Sequence, residues 1–181
     1  MIVLRGLVRA IDWLAEWTGR VVSWVGVLIM LTMTFEVIMR YIFNSPTKWS
    51  YDTTIMMGGV LFILSTAYVL LHKAHVRVDI FYAKFSPFAQ ATVDLIFTVL
   101  YLFGAMYVFT SQGWHFAFWS LKVHEISQFG YWEPTMVPFR FLVAYGFSLL
   151  TLETLSWFTK NLFFIITRRE LMQPAEGGSK P

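Results

Sequence analysis

Four apolar stretches, each near the length of a bilayer crossing, constrain this 181-residue chain more than any other feature. They cover residues 21–43, 53–71, 93–114 and 139–158, and the last reaches 166 if its helix is long and tilted. A helix of about 20 apolar residues crosses roughly 30 Å of hydrocarbon. Inside lipid, only helices and closed barrels satisfy their own backbone hydrogen bonds. The second stretch has no charged residue at all. Composition points the same way, with 57% hydrophobic and only 14% charged residues, against about 25% charged in ordinary soluble domains. The expected fold is an all-α integral membrane protein with four transmembrane helices.

Residues 1–20 read differently. Arg5, Arg9, Asp12, Glu16 and Arg20 recur every three or four residues, while Leu4, Leu7, Ile11, Leu14 and Trp17 recur on another face. That pattern predicts an amphipathic helix lying in the membrane interface before the first span. The charges leave no apolar core for a signal peptide. The chain therefore divides into an interfacial helix (1–20), a four-helix transmembrane domain (21–166) and a polar tail (167–181). Basic residues gather before span one, after span two and after span four, as Arg5, Arg9, Arg20, Lys73, Arg77, Lys84, Lys160, Arg168 and Arg169. By the positive-inside rule, both termini are expected in the cytoplasm of a multi-pass inner-membrane protein.

The chemistry-bearing residues are few. There is no cysteine, which excludes disulfides and thiolate sites, and no basic block has the density of a nucleic-acid patch. Glu36 and Arg40 stand four apart within span one, so they share a helix face and can pair. Two functions are open to them: a proton or ion relay, or a polar anchor that packs the helix. The anchor is preferred, because no second carboxylate lies at matched depth on the other spans. Asn44-Ser45-Pro46-Thr47 is a turn that stops span one, and Trp49 follows at the interface. Gly58-Gly59 in span two, and Ala144 with Ser148 in span four, read as small-residue faces for close helix packing. His75 to Phe81 alternates polar and apolar residues and is expected to lie flat on the membrane. The outer segment 119–138 is rich in aromatics, with Tyr131 and Trp132 at its centre.

These residues resemble a known family. The run Phe35-Glu36-Val37-Ile38-Met39-Arg40-Tyr41-Ile42-Phe43-Asn44-Ser45-Pro46-Thr47-Lys48-Trp49-Ser50 resembles the end of span one and the first loop of the DctQ-type small membrane subunit of TRAP (tripartite ATP-independent periplasmic) transporters. Ala74-His75-Val76-Arg77-Val78-Asp79 resembles that family's second signature, directly after span two. Where the family commonly carries acidic residues after the Trp, this chain has Tyr51-Asp52, so Asp52 takes that place. The resemblance implies a non-catalytic scaffold beside a large elevator-type subunit of the DctM type. Uptake of an organic acid, usually a carboxylate, is then driven by sodium, with delivery by a periplasmic DctP-type solute-binding protein. It implies no cofactor here, sodium being expected on the large subunit. The residues expected at partner interfaces or as polar anchors are Glu36, Arg40, Asn44, Trp49, Asp52, His75, Arg77 and Asp79. Tyr131 and Trp132 are expected to face the periplasmic protein.

Other classes remain open at this point. Four histidines allow a haem-binding anchor subunit of a redox complex, although His72 and His75 fall on one side and His115 and His124 on the other. A small self-sufficient channel is a further reading. An intramembrane enzyme is disfavoured, since no nucleophile and base can be placed together.

Overall fold

The computed structural model describes residues 2–72, 87–99, 104–128, 130 and 132–167. They form five helices: α1 (Ile2–Tyr41), α2 (Ser50–Leu71), α3 (Pro87–Phe97), α4 (Gly104–Val123) and α5 (Val137–Thr167). Strands are absent among the described residues, where one isolated antiparallel bridge joins Ile126 to Thr135.

Helix α1 runs unbroken for 40 residues, about 60 Å at 1.5 Å per residue. The boundary expected at residue 20 is therefore not a break in the chain. No proline interrupts α1, and the apolar face of its first half is covered by protein. Val8, Ile11, Ala15 and Val22 are all buried there. Of the charges that suggest an interfacial helix, Arg5, Arg9 and Arg20 are exposed, whereas Asp12 and Glu16 turn toward the neighbouring helices. At Gly19 the neighbour comes very near: a Cβ there would sit 2.4 Å from the Tyr68 ring, so only glycine permits this approach of α2.

Helix ends follow local chemistry. Asn44 closes α1 in the left-handed region (φ 49), which asparagine tolerates better than most residues. The Ser45 N–H then reaches back to the Met39 carbonyl at 2.9 Å. Proline stands first in α3 and second in α5, where its missing N–H costs nothing. His124 ends α4 with φ 50.

Helix α5 is the central element, packed against each of the other four, while α1 lies mainly along α2. Ala15, Ala67, Leu70, Met106, Leu149 and Leu150 form one core cluster, and Val22, Ile63 and Leu64 form a second. The small residues act as their spacing suggests: Gly59 faces the Phe139 ring, and Gly113 meets the Ala144 backbone. Hydroxyls add polar contacts between α4 and α5. Trp114 Nε1 donates to Ser148 Oγ at 2.9 Å, and Thr110 Oγ1 lies 2.8 Å from Thr151 Oγ1. In membranes such bonds contribute about 0.6 kcal/mol each.

Three described helices are long and apolar enough to cross a membrane: α1 from Arg5, α2 and α5. The fourth stretch, 139–158, takes its longer form, since α5 reaches Thr167. The third, 93–114, does not fall on one described helix. It overlaps the end of α3 and the start of α4, and residues 100–103 between them lie outside the described residues.

Candidate functional site

The charged groups of the bundle collect at its two ends. Asp52 and His72 on α2 are twenty residues apart, and so are Arg140 and Lys160 on α5. At 1.5 Å per residue each pair spans about 30 Å, the thickness of a bilayer's hydrocarbon. One end holds the loops 42–49 and 124–136; the other holds the beginning of α1 and the end of α5.

At the loop end, three carboxylates fix loops to helices. Glu36 is the first, 6% exposed. Its Oε1 accepts from Arg40 Nε at 3.1 Å and Nη2 at 2.6 Å. Its Oε2 accepts from the Thr47 N–H at 3.0 Å and also from the Thr47 hydroxyl. The left-handed turn at Asn44 reverses the chain, and Thr47 returns to Glu36. Trp49 completes the fold-back by stacking on Phe35, with ring centroids 6.1 Å apart. Glu36, Arg40, Asn44, Thr47 and Trp49 therefore make one reverse turn, clamped on a buried carboxylate.

Asp52 is the second, fully buried in the first turn of α2. Its Oδ1 accepts from Ser127 Oγ at 2.6 Å. Gly130 lies directly over the carboxylate, so that a Cβ there would meet Oδ2 at 2.3 Å. Glu125 is the third. Arg140 grips it with two parallel bonds, Nη2 to Oε1 at 2.7 Å and Nε to Oε2 at 3.1 Å. This fork geometry is the strong form of a charged hydrogen bond. It holds the Glu125 carboxyl below its ordinary value, the Arg140 guanidinium being the main cause. Backbone bonds from Ser127 N–H to the Pro134 carbonyl and from Met136 N–H to the Glu125 carbonyl, both 2.8 Å, close the base of the same loop.

The opposite end ties helix to helix. Asp12 on α1 accepts from Ser156 Oγ at 2.8 Å and Lys160 Nζ at 2.7 Å, both on α5. Glu16 pairs with Arg20 at 2.8 Å and faces His72 of α2 at 3.4 Å. Glu153 differs from Asp12 and Glu16 at this end. It is fully buried on α5, and neither of its oxygens has a hydrogen-bond partner among the described residues.

The expected pairing of Glu36 with Arg40 is present, and Asn44, Trp49 and Asp52 join the same end of the molecule. Trp132 lies in the 124–136 loop, half exposed. His75, Arg77, Asp79 and Tyr131 lie outside the described residues, as does the segment expected to lie flat on the membrane. Sequence reasoning missed Thr47 as the second partner of Glu36, and it missed the pairs Glu125–Arg140 and Asp12–Lys160. The first needs the turn geometry at Asn44; the others join residues with no periodic relation. Among the described residues, no group of three His, Asp or Glu could hold a metal ion. The arrangement is chemically that of a braced wall, with carboxylates spent on holding chain segments in place.

Residues 29–162 match a protein family described as the DctQ component of tripartite ATP-independent periplasmic transporters. No curated protein matches the chain at a significant level. The match begins within α1, takes in the whole Glu36–Trp49 turn, and ends at Leu162 near the close of α5. It covers well over half of the sequence, with the whole loop end and, at the opposite end, Ser156 and Lys160 but not their partner Asp12. The chain belongs to the DctQ family, the small membrane component of the tripartite ATP-independent periplasmic transporters.

Proposed function

We propose that this chain is the static scaffold of a sodium-driven uptake system for an organic acid, usually a carboxylate. A large DctM-type subunit carries the solute and sodium sites and makes the elevator movement. A periplasmic DctP-type protein delivers the solute. The observation that carries this reading is the family match over residues 29–162, which takes in the whole braced loop end. A moving element needs a fixed partner, and a helix clamped at both ends is suited to be one. Helix α1 offers the surface: Trp24, Leu28, Leu31, Phe35 and Ile38 are all exposed along it.

In this reading the loop end faces the periplasm and both termini face the cytoplasm, since Arg5, Arg9, Arg20 and Lys160 lie at the other end. The fourth crossing is supplied by α3 and α4. Glu36 is a structural anchor of the first loop, and Trp132, with Tyr131 beside it in sequence, is placed to meet the periplasmic protein. His75, Arg77 and Asp79 are assigned to the cytoplasmic surface.

Extraction of the tagged chain in mild detergent tests the proposal. A multi-span protein of about twice its size or more, at near-equal amount and able to bind a soluble solute receptor, is the expected companion. Recovery of the chain alone, or only with itself, contradicts the scaffold role. A haem Soret band in that preparation would favour a redox anchor instead.

A further inference from the structure

Helix α1 carries one exposed row at its charged end: Arg5, Arg9, Trp13 and Trp17, each four residues from the next. Side chains at that spacing lie one above another on a helix face. Trp13 and Trp17 are 64% and 54% exposed, and their rings stack with centroids 6.5 Å apart. The two arginines have no acid to meet. The first turn of α1 contains none. Asp12 is taken by Ser156 and Lys160, and Glu16 by Arg20 and His72. Neither Arg5 nor Arg9 makes an ion pair or side-chain hydrogen bond among the described residues. Like charges four residues apart repel, and the helix N-terminus adds positive potential of the same sign. An anion from outside the chain would relieve both.

We propose that this row binds an anionic phospholipid, Arg5 and Arg9 holding the headgroup phosphate and the Trp13–Trp17 pair packing against the glycerol esters. Depth supports that occupant. Asp12 and Glu16 meet Lys160 and His72, the residues that mark this edge of the hydrocarbon. The two tryptophans therefore stand at the edge itself, where amphipathic rings concentrate. Arg9 and Arg5 follow Asp12 outward along the helix, about 5 and 10 Å beyond it at 1.5 Å per residue. The headgroup layer is about 5–8 Å deep on each side, so Arg9 stands within it and Arg5 at its outer surface. Charge selects the lipid. Two uncompensated guanidinium groups favour a headgroup of net negative charge over a zwitterion whose own ammonium cancels its phosphate. An acidic polypeptide would meet the arginines but leave the two indoles, at the hydrocarbon edge, uncovered. Val21, 50% exposed, continues the row into the span and gives an acyl chain an apolar track. Leu31, Phe35 and Ile38 lie farther along α1 and stay free for a large subunit. The site does not depend on the transport role.

Native mass spectrometry of the delipidated full-length protein tests this, with phosphatidylglycerol and phosphatidylcholine titrated separately. The first phosphatidylglycerol adduct should be stronger than the phosphatidylcholine one by about tenfold. Arg5→Gln and Arg9→Gln should each weaken it about fivefold, the effect of one cation at a lipid surface. The double arginine variant should bind both lipids alike. Trp13→Ala together with Trp17→Ala should weaken both lipids and leave the preference between them unchanged. Lys48→Gln removes an exposed cation at the loop end and should change nothing. All of these side chains are exposed, so the variants should fold as the unaltered protein does. Equal binding of the two lipids by the unaltered protein overturns the proposal. A preference undiminished in the double arginine variant, or an equal loss in Lys48→Gln, does the same. Displacement of the lipid by an equal concentration of inorganic phosphate or of a polyglutamate peptide also overturns it, since the row would then hold anions of any kind.

Discussion

The two polar ends of the bundle solve the same problem in different ways. At the loop end, acids hold loops: Glu36 holds Thr47 eleven residues on, Glu125 holds Arg140 fifteen residues on, and Asp52 holds Ser127 of the 124–136 segment. At the other end Asp12 and Lys160 are 148 residues apart and join the first helix to the last. One end shapes loops and the other end closes the bundle. Individual acids differ also in completeness, and at the loop end Asp52 leaves Oδ2 without a partner among the described residues. Both Glu36 oxygens and both Glu125 oxygens are used, while Glu153 is fully buried with neither oxygen bonded among those residues. Removing Glu36 and removing Glu153 should therefore have opposite signs, whereas a bonded acid such as Asp12 should cost stability when removed at either end.

The largest effect is expected at Glu36. Glu36→Ala strands the Thr47 N–H and hydroxyl and releases Arg40, and should destabilise the protein by about 3 kcal/mol. A fall in the thermal transition in detergent would register it, together with faster proteolysis between residues 42 and 49. Complex yield should drop with it. Unaltered complex yield with abolished transport would instead support a relay at this position. Glu153→Leu should act in reverse, replacing an unbonded buried acid with an apolar side chain of similar length. A gain of about 2 kcal/mol is expected, read as a higher transition temperature. A loss of stability would mean that Glu153 has a partner the described residues do not include.

The smallest effect is at Glu125. Its folded-state pKa is depressed below 4.5, chiefly by the Arg140 hydrogen bonds. A depressed acid contributes stability that is complete above the unfolded value and is lost as pH falls through the folded one. Glu125→Gln should thus cost about 1 kcal/mol at pH 7 and almost nothing well below pH 4. Thermal transitions of the variant and the unaltered protein, compared across that range, should converge on the acid side. Constant separation down to pH 3 would show that Arg140 holds the loop without the Glu125 charge.

Much of the bundle was legible in advance, and the reasons are physical. Long apolar runs without breakers give α1, α2 and α5, because apolar length is what a membrane selects. The spacing of Glu36 and Arg40 gives their pairing, because helical period fixes it. What the pattern hides is whatever depends on a turn or on tertiary packing. Thr47 meets Glu36 only because Asn44 adopts φ 49. The charges at Glu16 and Arg20 read as the limit of an interfacial helix, yet they lie on one face of a helix that continues past them. The third apolar stretch, with Gly104 inside it, gives no sign that described helices end and begin there. Asp12 with Lys160 has no local signature of any kind.

The most direct test of the whole arrangement is which side of the membrane each end meets. The chain has no cysteine, so single cysteines can be read without background. Lys48→Cys, Arg9→Cys and Leu31→Cys sample the loop end, the opposite end and the middle of α1. With a membrane-impermeant maleimide on intact spheroplasts, Lys48→Cys should be labelled. Arg9→Cys should be labelled only after permeabilisation, and Leu31→Cys in neither case. Labelling of Lys48→Cys and Arg9→Cys from the same side would contradict a bundle whose two polar ends bracket the bilayer.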